Sequence, residues 1–359
     1  MIDRQPFGEA DGVPVETFSL YRPDSTIVTV TNYGATIIAI RTPDRNGLWD
    51  DIILGYDTLK GYLQDTQYFG CMVGRCANRI GRGILFVDGV RYRLGINNGM
   101  HHLHGGHKGF NKHVWKVAEI RDREEPSVTF TYASADGEEG YPGRLQAHVT
   151  YSLSTDHELS IGVRARTDRA TAVNLANHAY FNLGGQGSPH CLDHIVTLNA
   201  DHYLPVSGDI LPRGEIASVS GSPMDLTRGA VIGDRLREED EQLRFAGGFD
   251  HNWVVRRIQG GEGDLVPAAS ALCGRTGRKL EVWTTQPGIQ FYTGNFLNGT
   301  VHGKGNVPYD RHAGFCLEAQ GFPDAPNRPQ FPSVILKPGQ TYRQTTQYRF
   351  YTTRPVDQE

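Results

Sequence analysis

A single carboxylate inside an apolar strand is the most chemically suggestive feature of the sequence. In Phe315-Cys316-Leu317-Glu318-Ala319-Gln320-Gly321-Phe322-Pro323-Asp324-Ala325-Pro326-Asn327, period-two alternation sends Phe315, Leu317 and Ala319 to one face and Cys316, Glu318 and Gln320 to the other. A glutamate on a half-buried strand is costly unless its charge is used. Such a group is readily tuned into a base. A second polar cluster lies in Thr171-Ala172-Val173-Asn174-Leu175-Ala176-Asn177-His178-Ala179-Tyr180-Phe181-Asn182-Leu183. With the same period, Val173, Leu175, Ala179, Phe181 and Leu183 face a core. Asn174, His178, Tyr180 and Asn182 form a polar row with the histidine at its centre. Each residue of that row offers a directional donor or acceptor, which suits recognition of hydroxyl groups.

Four more segments carry polar groups of the same kind. In Gly70 to Gly83, glycines bracket the pair Asn78-Arg79, so backbone can approach a ligand while the guanidinium fork holds two oxygens. Residues 97 to 107 contain four histidines, His101, His102, His104 and His107. They invite a metal reading, with His102 and His104 on one strand face as in metal-binding cupins. The glutamate that such a site wants is missing, because Lys108, Gly109 and Phe110 follow. The expectation is therefore no metal, with one histidine donating to a ligand hydroxyl and the others packing locally. Asp250 follows Gly247-Gly248-Phe249 among aromatic residues, the composition of a carbohydrate pocket. Gln290 and Tyr292 share a face after the turn Pro287-Gly288.

The elements that must hold these groups read as strands. Short runs rich in Val, Ile, Thr, Tyr and Phe recur at Thr26–Thr31, Val128–Tyr132, Gln146–Leu153, Leu159–Ala165, Ile195–Leu198, Leu280–Thr285 and Thr341–Tyr351. Turn signals such as Asn46-Gly47, Asp88-Gly89, Asp136-Gly137 and Pro338-Gly339 punctuate the sequence. Helical periodicity is weak; the best candidates are Asp57–Leu63, with Asp57 as N-cap, and a stretch near Ile232–Glu241. The pattern predicts an all-β chain folded as one large antiparallel β-sandwich over residues 1–359.

Composition narrows the function. The net charge of −4 is small and the charges are mixed, so neither nucleic acid nor a membrane surface is expected as partner. No apolar run is long enough for a bilayer. The first residues are polar and acidic, unlike a signal peptide. Five widely spaced cysteines with no CxxC suggest free thiols in a reducing cytoplasm.

Taken in order, GRCANRIGRG, HLHGG, NLANHAYFNL, GGFDHNW, QPGIQFYTGNF and FCLEAQGFPDAPN resemble the aldose 1-epimerase (galactose mutarotase) family over residues 70 to 327. The resemblance implies a galactose mutarotase-like supersandwich with a concave sugar-binding face and no cofactor. It implies Glu318 as catalytic base and His178 as acid, with Asn78, Arg79, His104, Tyr180, Asp250 and Gln290 binding sugar hydroxyls. Ala176 and Ala319 stand where many members carry threonine. The implied substrate is a small aldose and the implied assembly a monomer or homodimer.

Interconverting anomers requires a proton to leave the C1 hydroxyl and another to reach the ring oxygen, work for a base and an acid on opposite sides of the sugar. The expected starting state is carboxylate and imidazolium, each charge stabilising the other and raising the histidine pKa. The competing readings are a glycoside hydrolase with Asp250 as second carboxylate, a sugar-phosphate epimerase, which would want more cations, and a non-catalytic sugar-binding module.

Overall fold

Alternation of buried and wet residues builds most of the molecule. In Leu145–Leu153 every second residue is buried, and Arg278–Thr284 repeats the pattern. Each strand thus has one face for a core and one for water. The computed structural model describes residues 1–22, 26–154, 157–257 and 263–353. Its strands fall mainly into three antiparallel sheets of five, nine and six strands. The five-stranded sheet is a meander from Ile2–Ala10 to Trp49–Asp51. The nine-stranded sheet begins with Lys116–Arg121, Ser127–Ser134, Leu145–Leu153 and Glu158–Thr167, and the late strand Tyr342–Thr352 pairs next to them. The six-stranded sheet runs Tyr180–Phe181, Phe315–Gln320, Gly288–Tyr292, Asp250–Val254, His202–Leu204, Ala217–Ser218.

One core cluster joins the three sheets. Phe18 and Val28 of the first, Val149, Ile161 and Tyr348 of the second, and Ile289, Phe291, Phe315 and Leu317 of the third belong to it. Each such side chain contributes about 1.5–3 kcal/mol when fully buried. The expected all-β sandwich is therefore the architecture, and all seven strand segments read from the sequence are strands to within two residues at their ends.

Three expectations about local structure are corrected. The first helix is Leu59–Gln64, capped at Thr58, and Asp57 does not cap it. Asp57 instead accepts a hydrogen bond from the Gly305 N–H at 2.7 Å. The stretch near Ile232–Glu241 is two helices, Ile232–Leu236 and Glu241–Ala246; Asp240 caps the second by accepting from the Gln242 N–H at 2.7 Å. The segment from Thr171 to Leu183 is not one alternating strand. It forms two-residue pieces at Thr171–Ala172, Ala176–Asn177 and Tyr180–Phe181, and every residue in it is buried. It threads between other segments, pairing in turn with Ile335–Leu336, Met72–Val73 and Phe315–Gln320, so neither side meets bulk solvent.

Candidate active site

The strand Phe315–Gln320 is buried at all six positions, more deeply than the half-buried strand that the alternation suggested. Phe315 and Leu317 enter the core cluster, while Glu318, on the opposite face, lines a cleft. Register then sets the neighbours. Glu318 pairs with Gln290, which pairs with Asn252; one rung along, Tyr180, Cys316, Tyr292 and Asp250 lie side by side. Strand pairing thus brings partners 24 to 136 positions apart in sequence onto one surface.

Two loops close the cleft above this sheet. Asn78 and His104 both adopt left-handed backbone conformations, with φ of 61° and 50°. Asparagine tolerates that region because its short side chain bonds locally, and its Oδ1 accepts from the Arg79 N–H at 2.8 Å. For a histidine the conformation is strained and must be imposed by its surroundings. The imposing contacts are reciprocal: the Asn78 N–H donates to His104 Nδ1 at 3.1 Å, and the His104 N–H donates to the Asn78 carbonyl at 3.1 Å. Gly105 follows with φ of 91°, and a Cβ there would sit 1.7 Å from the Gly74 carbonyl oxygen. Only glycine lets these loops pack so closely.

The resulting cleft has a volume of ≈ 430 Å³ and is lined by Asn78, Arg79, His104, His178, Tyr180, Asp250 and Glu318 among others. Gln290 does not line it; its Nε2 donates to Asp250 Oδ1 at 2.7 Å from behind. Arg79 Nη1 lies 3.7 Å from Asp250 Oδ2, and Arg79 Nε donates to Asn98 Oδ1 at 3.2 Å. Among the described residues, neither terminal nitrogen of Arg79 meets an acceptor at hydrogen-bond distance. His178 Nε2 lies 3.7 Å from Glu318 Oε1, and Cys316 Sγ lies 3.6 Å from His178 Nδ1. Among the described residues, Glu318 Oε2 is buried with no hydrogen-bond partner. A buried acceptor left unpaired is costly.

Burial is the largest influence on the protonation of the site and runs against the expected pairing of charges. It raises the Glu318 carboxyl well above the ordinary carboxylate range; the Asp250 charge adds to that effect and Arg79 opposes it. It lowers the His178 imidazole to about 4. At 3.7 Å the two groups would attract if both were charged, but burial works against the charged form of each. These directions favour one proton on the pair, as acid and neutral imidazole, over the ion pair. Burial also raises Asp250, against Arg79 and the Gln290 amide. His104 is driven well below its usual value by burial and by the neighbouring His178 and Arg79.

The four histidines of residues 101–107 separate by role. His102 bonds the Gly95 carbonyl at 2.7 Å and Tyr141 Oη at 2.7 Å, and His101 bonds Asp209 at 2.8 Å, all away from the cleft wall. His104 and His107 line the cleft. His104, His178 and Glu318 do offer ligand atoms within 4.8 Å of one another. However, His104 Nδ1 already accepts the Asn78 N–H, so the neutral ring carries its proton on Nε2 and has no free lone pair for a metal. The cluster Asp193, His194 and Cys273 fails similarly. His194 Nε2 accepts from the Leu183 N–H at 3.0 Å while Nδ1 bonds Asp193 at 2.9 Å.

Tyr68 was not singled out from the sequence. Its ring sits 4.7 Å from that of His104 and 5.8 Å from that of His178, and its φ is 62°. Asp65 holds this turn by accepting from the Gln67 N–H at 2.9 Å, the Phe69 N–H at 3.0 Å and Tyr56 Oη at 3.0 Å. The only hint in the sequence is an aromatic pair directly before Gly70. Arg75, inside the glycine-rich segment, is instead structural: its guanidinium donates to Ser134 Oγ at 2.8 Å and the Gly143 carbonyl at 2.8 Å.

A family model described as aldose 1-epimerase matches residues 16–349. The chain belongs to the aldose 1-epimerase family. It is similar to galactose mutarotase of Bos taurus, 47% identical over 336 residues and covering 94% of each chain. Against galactose mutarotase of Homo sapiens it is 46% identical over 351 residues, 97% of this chain and 98% of the relative. A crystal structure of galactose 1-epimerase from Lactobacillus acidophilus NCFM superposes with a TM-score of 0.86 at 29% identity, covering 99% of both chains. The enzyme is an epimerase that interconverts the α and β anomers of aldoses. Among its described residues no helix is long and apolar enough to cross a membrane.

Proposed function

We propose that ring opening and closure are carried out by Glu318 as base and His178 as acid. The observation that carries this reading is the buried, unpartnered Oε2 of Glu318 at a cleft wall, with His178 Nε2 3.7 Å from the other carboxyl oxygen. A sugar hydroxyl donating to Oε2 favours the ionised carboxylate, and the shared proton then rests on His178. Glu318 takes the C1 hydroxyl proton while His178 protonates the ring oxygen, and the C1–O5 bond breaks. Rotation about C1–C2 turns the aldehyde, and the two groups run the reverse transfers on its other face. The site's proton count is unchanged over the cycle.

Asn78, Arg79, His104, Tyr180 and Asp250 bind the sugar in this reading. Arg79 offers its free terminal nitrogens, and His104 offers the Nε2 proton that its bond to Asn78 fixes. Gln290 acts through Asp250. The substrate named for the mammalian relatives, galactose, fits a cleft of ≈ 430 Å³ lined by polar side chains. One chain supplies every wall of the cleft, which supports a monomer as the working unit. Five buried free thiols support a reducing, cytoplasmic setting.

Glu318→Gln keeps the shape and removes the base. Polarimetry of freshly dissolved α-galactose should show a loss on the order of 10²–10⁴-fold, with the circular dichroism spectrum retained. A variant within threefold of the native rate would remove Glu318 from the chemistry.

A further inference from the structure

The outer face of the nine-stranded sheet carries a second cleft, of ≈ 720 Å³, that shares no lining residue with the first. Its floor contains one rung of three basic residues on adjacent strands. His148 on Leu145–Leu153 pairs with Arg164 on Glu158–Thr167, which pairs with Arg343 on Tyr342–Thr352. Like charges directly opposite each other destabilise a sheet. The strands Glu158–Thr167 and Tyr342–Thr352 show the ordinary solution elsewhere, where Arg349 Nε meets Glu158 at 2.8 Å. Among the described residues, Arg164 and Arg343 have no ion pair and no hydrogen-bond acceptor. The one acid lining this cleft, Glu119, is bonded to Arg121 Nε at 2.7 Å.

The neighbouring rung leaves space beside these cations. Gly162 lies there between Thr150 and Thr345, and a Cβ on it would meet nothing within 4 Å. A strand-interior glycine with open space above it admits a close ligand. Partial burial, and after it the neighbouring guanidinium of Arg164, lower the His148 pKa. Hydroxyls of threonine and serine border the rung, and among the described residues no Phe, Tyr or Trp lines the cleft to give nucleobases a broad stacking platform.

We propose that His148, Arg164 and Arg343 bind the phosphate group of a small phosphorylated sugar, whose hydroxyls meet the flanking threonines. A phosphate dianion between two guanidinium forks relieves their repulsion and takes bidentate bonds from each. This site is independent of the catalytic assignment above.

The test is an NMR titration of the His148 ring in the full chain with glucose 1-phosphate, inorganic phosphate and glucose in separate arms. Glucose 1-phosphate has no free anomeric hydroxyl, so it cannot turn over. The expected result is a saturable shift with glucose 1-phosphate at concentrations at least tenfold below those needed with phosphate, and none with glucose. The double variant Arg164→Gln, Arg343→Gln should lose that response and keep native polarimetric rates. No saturable shift, a shift that survives in the double variant, or equal response to phosphate and its sugar ester would each overturn the proposal.

Discussion

Replacing Arg79 with lysine keeps a positive charge beside Asp250 and removes the planar fork. In the structure, Nε of this buried arginine bonds Asn98 at 3.2 Å, which fixes the guanidinium plane and leaves both terminal nitrogens for the cleft. An ammonium cannot hold Asn98 and offer two parallel donors to a sugar. The variant therefore loses at least one charge-assisted hydrogen bond, about 1.5–3 kcal/mol. At 1.4 kcal/mol per tenfold, that is a fall in kcat/KM of roughly 10- to 150-fold. Asp250 keeps a cationic neighbour, so the melting temperature should move by only a few degrees. Arg79→Met differs in that respect. It leaves a buried carboxyl uncompensated and should destabilise the fold by about 3–5 kcal/mol. Initial polarimetric rates over a range of galactose concentrations, together with thermal melts, separate the two effects. KM and kcat within twofold of native in Arg79→Lys would refute a sugar-clamping role.

The pH–rate profile should be a broad bell. On the acid side the rate falls below about pH 4, where His178 takes a second proton and the pair has no acceptor left. On the alkaline side it falls once the last proton leaves Glu318, well above the ordinary carboxylate range. An acid limb centred near pH 6.5 would contradict the buried, neutral imidazole. Gln290→Leu should raise KM roughly 10- to 150-fold with a smaller change in kcat, because Asp250 loses a donor worth about 1.5–3 kcal/mol. Steady-state kinetics with galactose reads that split. Gly105→Ala should cost on the order of 3 kcal/mol or more, since its Cβ would collide with the Gly74 carbonyl at a positive φ. Chemical denaturation measures it.

The strands were readable because their hydrophobic period is local. Leu145–Leu153 alternates in sequence as it does in burial, and water on one face enforces the match. The segment from Thr171 to Leu183 alternates just as clearly, yet all of it is buried. Its polar side chains are satisfied by other segments, as when Asn174 Nδ2 donates to the Gly321 carbonyl at 3.2 Å. A single-segment pattern cannot show a partner that is 147 residues away. The same reason hid Tyr68, whose relevance comes from two histidine rings brought to it by distant turns. Residue types at Glu318, His178, Arg79 and Asp250 did announce polar chemistry, and pairing among strands gathered them. Their burial was not legible, because sequence shows which charges are near but not how little water remains around them.

The placement of Tyr342–Thr352 also bears on how the chain is made. This strand lies in the interior of the nine-stranded sheet, hydrogen-bonded on one side to Glu158–Thr167 and on the other to Arg278–Thr284. Until it leaves the ribosome, two long edges stay open, each able to recruit a strand from another molecule. The sheet must therefore close after translation has passed Thr352, through contacts nearly 200 residues apart, which is slow. A premature stop upstream of Tyr342 would leave Glu318 and His178 encoded and both of these edges unpaired.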